Sequence, residues 1–290
     1  MESVSGDRAQ QHWQPQRRLI ITADDFGLHR RVNEAVELAC RHGVLTAASL
    51  MVGAPAVQDA VQRARNLPGL RVGLHLVLVD GAAILPRAAI PALVDAQGRF
   101  GDNMVRDGFR FFFLPHVRAQ LAMEIRAQFD AFARTGLPLD HVNTHKHFHM
   151  HPTVLSLILK IGKEYGMQAM RLPCEADTPV WLKPWVAQMR ARLDRANIAH
   201  NDYVVGIART GQMDENTLLD AIARLPAGVG EIYCHPASPG DGALTAGMQA
   251  YRHADELTAL LSTRVAAALD ATGAVRGGFA DLSTGRSQTA

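Results

Sequence analysis

Only three cysteines occur in the 290 residues, Cys40, Cys174 and Cys234, and no two of them form a CxxC pair. Their odd number and wide spacing argue against a disulfide framework and a structural Cys-zinc site, and they read as small buried hydrophobes. No stretch of about 18 uninterrupted apolar residues is present, so no transmembrane helix is expected. Met1 to Arg18 is polar and lacks the apolar segment of a secretory signal, which leads to the expectation of a cytoplasmic protein. Neither sign of charge dominates: 30 Lys and Arg stand against 28 Asp and Glu, a formal charge of +2. That balance gives no support to a nucleic-acid partner, which usually needs a clustered basic surface. No G-x-G-x-x-G or Walker sequence follows the first β-like run, so no phosphate-cradling loop is recognised there. The 48% hydrophobic residues are ample for a core, which excludes disorder as the main state.

Between a flexible N-terminal arm (1–16) and a loose C-terminal tail (283–290), the composition predicts one domain over residues 17–282. Short β-like runs alternate with helical patterns there. Strands are expected near 18–25, 46–52, 71–79, 140–145, 168–172, 201–207 and 230–234. Helices are expected near 31–42, 57–66, 116–134, 153–165 and 254–272. Such alternation implies right-handed crossovers and a parallel sheet. The predicted fold class is α/β, a (β/α) barrel with about seven parallel strands.

The placement of polar residues is the informative feature. Asp24 and Asp25 end the first strand, His75 lies in the third, and His145 and His147 end the fourth. Arg171 lies in the fifth and His235 closes the last. In a parallel barrel the C-terminal strand ends form one mouth, where active sites are built. Five of the thirteen histidines (141, 145, 147, 149 and 151) fall in one short span. Their alternate spacing places them on one side of an extended chain, although a helix would also bring His145 and His149 together. Imidazole is the commonest metal ligand, and Asp25, His75 and His145 could supply a His₂–carboxylate set for a catalytic zinc. Asp24 and Asp25, as neighbours in a strand, should point to opposite faces, which argues against a glycosidase pair. One would then sit on the metal and the other beside its water. Arg171 could hold a carboxylate in a bidentate fork. Four of the ten phenylalanines fall within Phe109–Phe113. They form either aromatic core or an apolar wall for a lipid tail or membrane surface, flanked by Arg106, Arg110 and Arg118.

Taken together, Thr22-Ala-Asp-Asp-Phe-Gly27, Gly73-Leu-His-Leu76, Asn143-Thr-His-Lys-His-Phe-His149 and Cys234-His-Pro236 resemble the YdjC-like carbohydrate deacetylases, in matching order over roughly 18–282. The resemblance implies a (β/α) barrel related to the polysaccharide deacetylases and metal-dependent removal of acetyl groups from N-acetylated sugars. It implies Asp25, His75 and His145 as ligands of one divalent ion, Zn²⁺ in first place and Mg²⁺ as the alternative. It implies Asp24 as catalytic base and His235 as general acid, with Arg171 counted among the catalytic residues. His147, Phe111 and Phe112 are assigned to the substrate. Many members carry Asp where this chain has Asn143, which puts a supporting role at that position in doubt. The sequence looks most like a hopanoid-biosynthesis branch, implying a glycosylated hopanoid as substrate and peripheral contact with the inner membrane. Rival expectations are deacetylation of soluble chito-oligosaccharides, a metal-dependent phosphoesterase or other amidohydrolase, and a sugar-lipid carrier with a structural metal completed by His147 or His149.

Overall fold

The computed structural model describes residues 17–175 and 177–281; the expected arm (1–16) and tail (283–290) lie outside them. The described residues form seven strands, β1 (Arg18–Phe26), β2 (Ala47–Leu50), β3 (Arg71–Leu76), β4 (Val142–Thr144), β5 (Tyr203–Val205), β6 (Val229–Cys234) and β7 (Val275–Arg276). Nine α-helices among the described residues connect or flank them. They are α1 (Arg30–His42), α2 (Val57–Arg65), α3 (Met104–Phe113), α4 (Pro115–Arg134), α5 (Pro152–Glu164), α6 (Lys183–Arg195), α7 (Glu215–Ile222), α8 (His253–Leu261) and α9 (Thr263–Ala271).

The sheet is parallel with order β4-β3-β2-β1-β6-β5, and the short β7 pairs with the start of β1. Its two edges meet through residues 168–174. Val142 bridges Met170, Ala169 bridges Ala199, and Val204 N–H donates to Cys174 carbonyl at 2.7 Å. The Asn201 side chain completes the seam, accepting from Leu172 N–H and donating to Leu172 carbonyl, both at 2.8 Å. The expected strand at 168–172 is therefore present as bridges, and the parallel barrel is closed there partly by a side chain. Strands β1, β2 and β6 are buried along nearly their whole length, as parallel strands covered by helices must be.

The helices follow their apolar stripes. In α1, Val32, Ala35, Val36 and Ala39 turn inward, and His29 caps the start by accepting from Arg31 N–H at 3.0 Å. The single helix expected over 254–272 is two helices. Ser262 is extended (φ −68°, ψ 128°) and its hydroxyl caps α9, so the chain breaks where a serine can satisfy free N–H groups. The Phe-rich segment lies in α3, within the connection from β3 to α4.

Candidate metal and hydrolytic site

The register of β1 shifts between Ala23 and Phe26, and Asp25 takes a left-handed conformation (φ 63°). That conformation costs a non-glycine residue about 1–3 kcal/mol and marks a strained, specific geometry. Its consequence corrects the strand-alternation expectation: both aspartates approach the same imidazole. Asp25 Oδ1 lies 3.3 Å from His75 Nε2, and Asp24 Oδ1 lies 4.0 Å from His75 Nδ1. Gly27 (φ 94°) completes the turn, and its N–H donates to Asn33 Oδ1 at 2.8 Å.

Asp25, His75 and His145 come together with one donor atom each, all within 4.8 Å of one another. His145 Nδ1 is 3.3 Å from Asp25 Oδ1. Ligands about 2.0–2.1 Å from a tetrahedral ion are separated by about 3.3 Å. Both Asp25 carboxylate oxygens are buried without a hydrogen-bond donor. A buried carboxylate in that condition is costly unless a cation occupies the space beside it. The residues therefore fit a divalent ion, and the donor set of two imidazoles and one carboxylate suits Zn²⁺ better than an all-oxygen ion such as Mg²⁺.

Asp24 is held differently. Arg171 donates to its two oxygens at 2.6 and 3.0 Å, and Asn143 Nδ2 donates at 3.1 Å. Burial raises the Asp24 pKa, but Arg171 and His75 outweigh it, so the carboxyl stays far below the usual carboxylate range. Arg171 is fully buried, also bonds Glu231 at 2.7 and 2.8 Å, and lies 4.7 Å from the Tyr233 ring centre. It thus holds a carboxylate, as its chemistry suggests, and that carboxylate is Asp24, from a position with no solvent exposure.

His235 places Nε2 4.0 Å from Asp25 Oδ2, and its Nδ1 is buried without a partner. Burial lowers its pKa, opposed by Asp25 and Asp24. Its backbone is clamped by α8: His235 N–H donates to Glu256, and His253 Nδ1 donates to His235 carbonyl at 2.5 Å. Glu256 also accepts from Met213 N–H at 2.9 Å and is pushed up to about 7 by burial, against the pull of these N–H groups.

The histidine cluster does not share one side of an extended strand. Residues 145–150 form a 3₁₀ turn in which Lys146 and His147 both have φ of 53°. His141 faces Ser49 and Asp140, while His149 bonds Thr144 and the Arg171 carbonyl. His151 packs among Phe111, Phe112 and Phe148. Of these five histidines, His145 is the one that reaches Asp25. His147 lies inward against Tyr233, Nε2 to hydroxyl 3.3 Å, and burial with Arg171 nearby depresses its pKa strongly.

The Phe segment divides. Phe111 is 2% exposed and packs on Phe148 at 5.4 Å, so its assignment to substrate is corrected to core. Phe109, Phe112 and Phe113 remain open to solvent. A cleft of about 440 Å³ runs beside His145, walled by Leu28, Met51, Pro55, Val77, Leu244 and Met248 among others; neither Phe111 nor Phe112 lines it. A larger groove of about 790 Å³, lined by residues of α2 and the end of α4, touches none of the site residues.

Sequence reasoning missed Ser49, Glu231 and Glu256 as parts of the site and left the part played by Asn143 in doubt. For Ser49 and Glu231 the available signal was a polar or charged residue inside a buried parallel strand, which needs a partner to be tolerated, whereas Glu256 lies in α8 and carried no such signal.

A parallel α/β barrel with a buried carboxylate–imidazole cluster at its mouth is the class these features define. The chain belongs to the YdjC-like protein family, whose model matches residues 18–271. A carbohydrate deacetylase of Brevibacillus brevis is 32% identical over 254 residues, covering 86% of this chain and 92% of that protein. A chitooligosaccharide deacetylase of Klebsiella pneumoniae is 30% identical over 268 residues, covering 92% and 100%. A solved structure from Enterococcus faecalis V583, named for a proposed role in cellobiose-phosphate cleavage, shares the fold. Its TM-score is 0.75 at 24% identity, covering 92% of this chain and 99% of that one.

Proposed function

We propose that the chain is a divalent-metal-dependent carbohydrate N-deacetylase, which cleaves an acetamide on an amino sugar to the free amine and acetate. The observation that carries this reading is the buried, donor-free Asp25 carboxylate facing His75 and His145, beside an Asp24 tethered by Arg171. When bound, the ion supplies Lewis acidity, making water a better nucleophile and stabilising the oxyanion. Asp24 takes the proton from water as its oxygen adds to the acetamide carbon. Arg171 and Asn143 keep that carboxylate ionised and aimed. The proton taken by Asp24 returns, through His235, to the sugar nitrogen as the carbon–nitrogen bond breaks, so that the amine leaves neutral.

For the substrate, our reading is an N-acetylglucosaminyl hopanoid. The mostly apolar cleft beside His145 and, separately, the exposed Phe109, Phe112 and Phe113 of α3 support a lipid-bearing sugar and peripheral membrane contact. No described helix is long and apolar enough to cross a membrane. The second reading, a soluble chito-oligosaccharide, is favoured by the name of the Klebsiella pneumoniae relative. Acetate release from the glycosylated hopanoid and from N-acetylated chitobiose, each with and without chelator, tests both. Chelator-sensitive release from the hopanoid alone supports the lipid substrate. Equal release from chitobiose discards that substrate and keeps the activity, and release from neither overturns the deacetylase.

A further inference from the structure

His75 is not held by its strand alone. Its Nδ1 faces Asn143 Oδ1 at 2.6 Å, and Asn143 Nδ2 lies 2.9 Å from Ser49 Oγ. Ser49 Oγ lies 3.0 Å from His141 Nε2, and His141 Nδ1 lies 2.8 Å from Asp140 Oδ2. Asp140 in turn accepts from the N–H groups of Phe279 and Ala280 at 3.1 and 2.9 Å. Ser49, His141 and Asn143 are completely buried, and His75 is 2% exposed, so water cannot substitute for any link.

The direction of every bond follows from the two ends. An ionised carboxylate only accepts. Asp140 therefore requires the proton of His141 on Nδ1, which leaves Nε2 as an acceptor for the Ser49 hydroxyl. The Ser49 oxygen then accepts from Asn143. At the other end, Asn143 Nδ2 also donates to Asp24 Oδ1 at 3.1 Å. A flipped amide would set its oxygen against that carboxylate, so the amide orientation is fixed twice over. Its oxygen faces His75 Nδ1, which must carry the proton, and His75 Nε2 is left with its lone pair toward Asp25.

Gly73 belongs to the same arrangement. A Cβ there would stand 2.5 Å from the His141 ring, so only glycine leaves space for this histidine two residues before His75.

We infer that Asp140, His141, Ser49 and Asn143 form a directional hydrogen-bond relay that locks His75 in its Nδ1–H tautomer, with Nε2 presented as a metal ligand. Ser49 and His141 are then positioning residues that never touch substrate. The inference rests on the reading of Asp25, His75 and His145 as the metal site. It also explains why an amide serves at Asn143. An amide donates and accepts at once, whereas an ionised Asp at this position would need Ser49 to turn its hydroxyl around.

The test uses the full chain, metal-free, with ¹⁵N-labelled histidine, observed by NMR over a pH series and read where the His75 signals are those of a neutral ring. The wild-type protein is expected to show His75 with a proton on Nδ1 and none on Nε2. Asn143→Leu, which removes the acceptor facing Nδ1, is expected to give a mixture of tautomers with the fold retained by circular dichroism, whereas Ser49→Ala, which leaves the Asp24 bond to orient the amide, should keep the tautomer but loosen the ring and weaken Zn²⁺ binding about 10- to 100-fold by calorimetry. Ser49→Cys, of similar size and a weak hydrogen-bonder, should fall between wild type and Ser49→Ala. A wild-type His75 protonated on Nε2 overturns the relay. So does an Asn143→Leu protein with an unmixed tautomer, or a Ser49→Ala protein with unchanged Zn²⁺ affinity. If the wild-type tautomer is Nδ1–H and responds to Asn143→Leu while no divalent ion binds, the relay stands and the metal reading falls.

Discussion

Glu256→Gln isolates one buried carboxyl whose effect on stability has a definite sign. Glu256 is fully buried, faces no cation, and accepts from the Met213 and His235 N–H groups. Its pKa rises from 4.5 to about 7 in the folded protein, chiefly by burial. Between these values the folded state binds a proton that the unfolded state has released. Stability therefore falls as pH rises from 4.5 to 7. At about 1.4 kcal/mol per pKa unit, the interval corresponds to roughly 3 kcal/mol. Glutamine does not titrate, so the stability of the variant relative to wild type should improve by about that amount over the same interval. Urea unfolding of both proteins at a series of pH values measures the difference directly, and other titrating groups cancel in it. Parallel stability profiles for the two proteins would show that Glu256 is not the raised carboxyl inferred from its burial.

Arg171→Met leaves Asp24 and Glu231 buried without their shared cation, which should cost about 3–5 kcal/mol in chemical denaturation at pH 7; a loss below about 1 kcal/mol would contradict the packing described. Asp24→Asn is expected to retain bound metal, by elemental analysis, while turnover falls by about 10²–10⁴. His145→Ala should lose the metal itself, and an unchanged metal-to-protein ratio removes it from the ligand set. Phe111→Ala should destabilise by about 3–5 kcal/mol as a core truncation. The double change Phe112→Ser and Phe113→Ser should leave the melting temperature nearly unaltered and reduce sedimentation with anionic lipid vesicles.

Much of the barrel was legible because parallel strands carry continuous apolar runs ending in polar residues. Asp25, His75 and His145 stand at three such ends, and the structure brings those three to one point. The second aspartate was harder to place, because strand alternation assumes a regular strand and β1 bulges at Asp25. The histidine span misled for a related reason: Lys146 and His147 enter left-handed geometry, which no hydrophobic period signals. Phe111 and Phe112 are neighbours of identical type with opposite fates, set by α3 turning one toward Phe148 and the other outward. The amide of Asn143 is tied to His75, Asp24 and Ser49 at once. That role depends on partners distant in sequence and was visible only once the strands were aligned.

The proposed chemistry depends above all on Asp25, His75 and His145 holding one divalent ion with a position left open. Anomalous scattering from crystals of the wild-type protein loaded with Zn²⁺ would locate that ion. A single peak is expected within bonding distance of Asp25, His75 Nε2 and His145 Nδ1, with no fourth protein ligand. A peak elsewhere, or a fourth bond from His147, His149 or His235 closing the coordination, would contradict an open catalytic site.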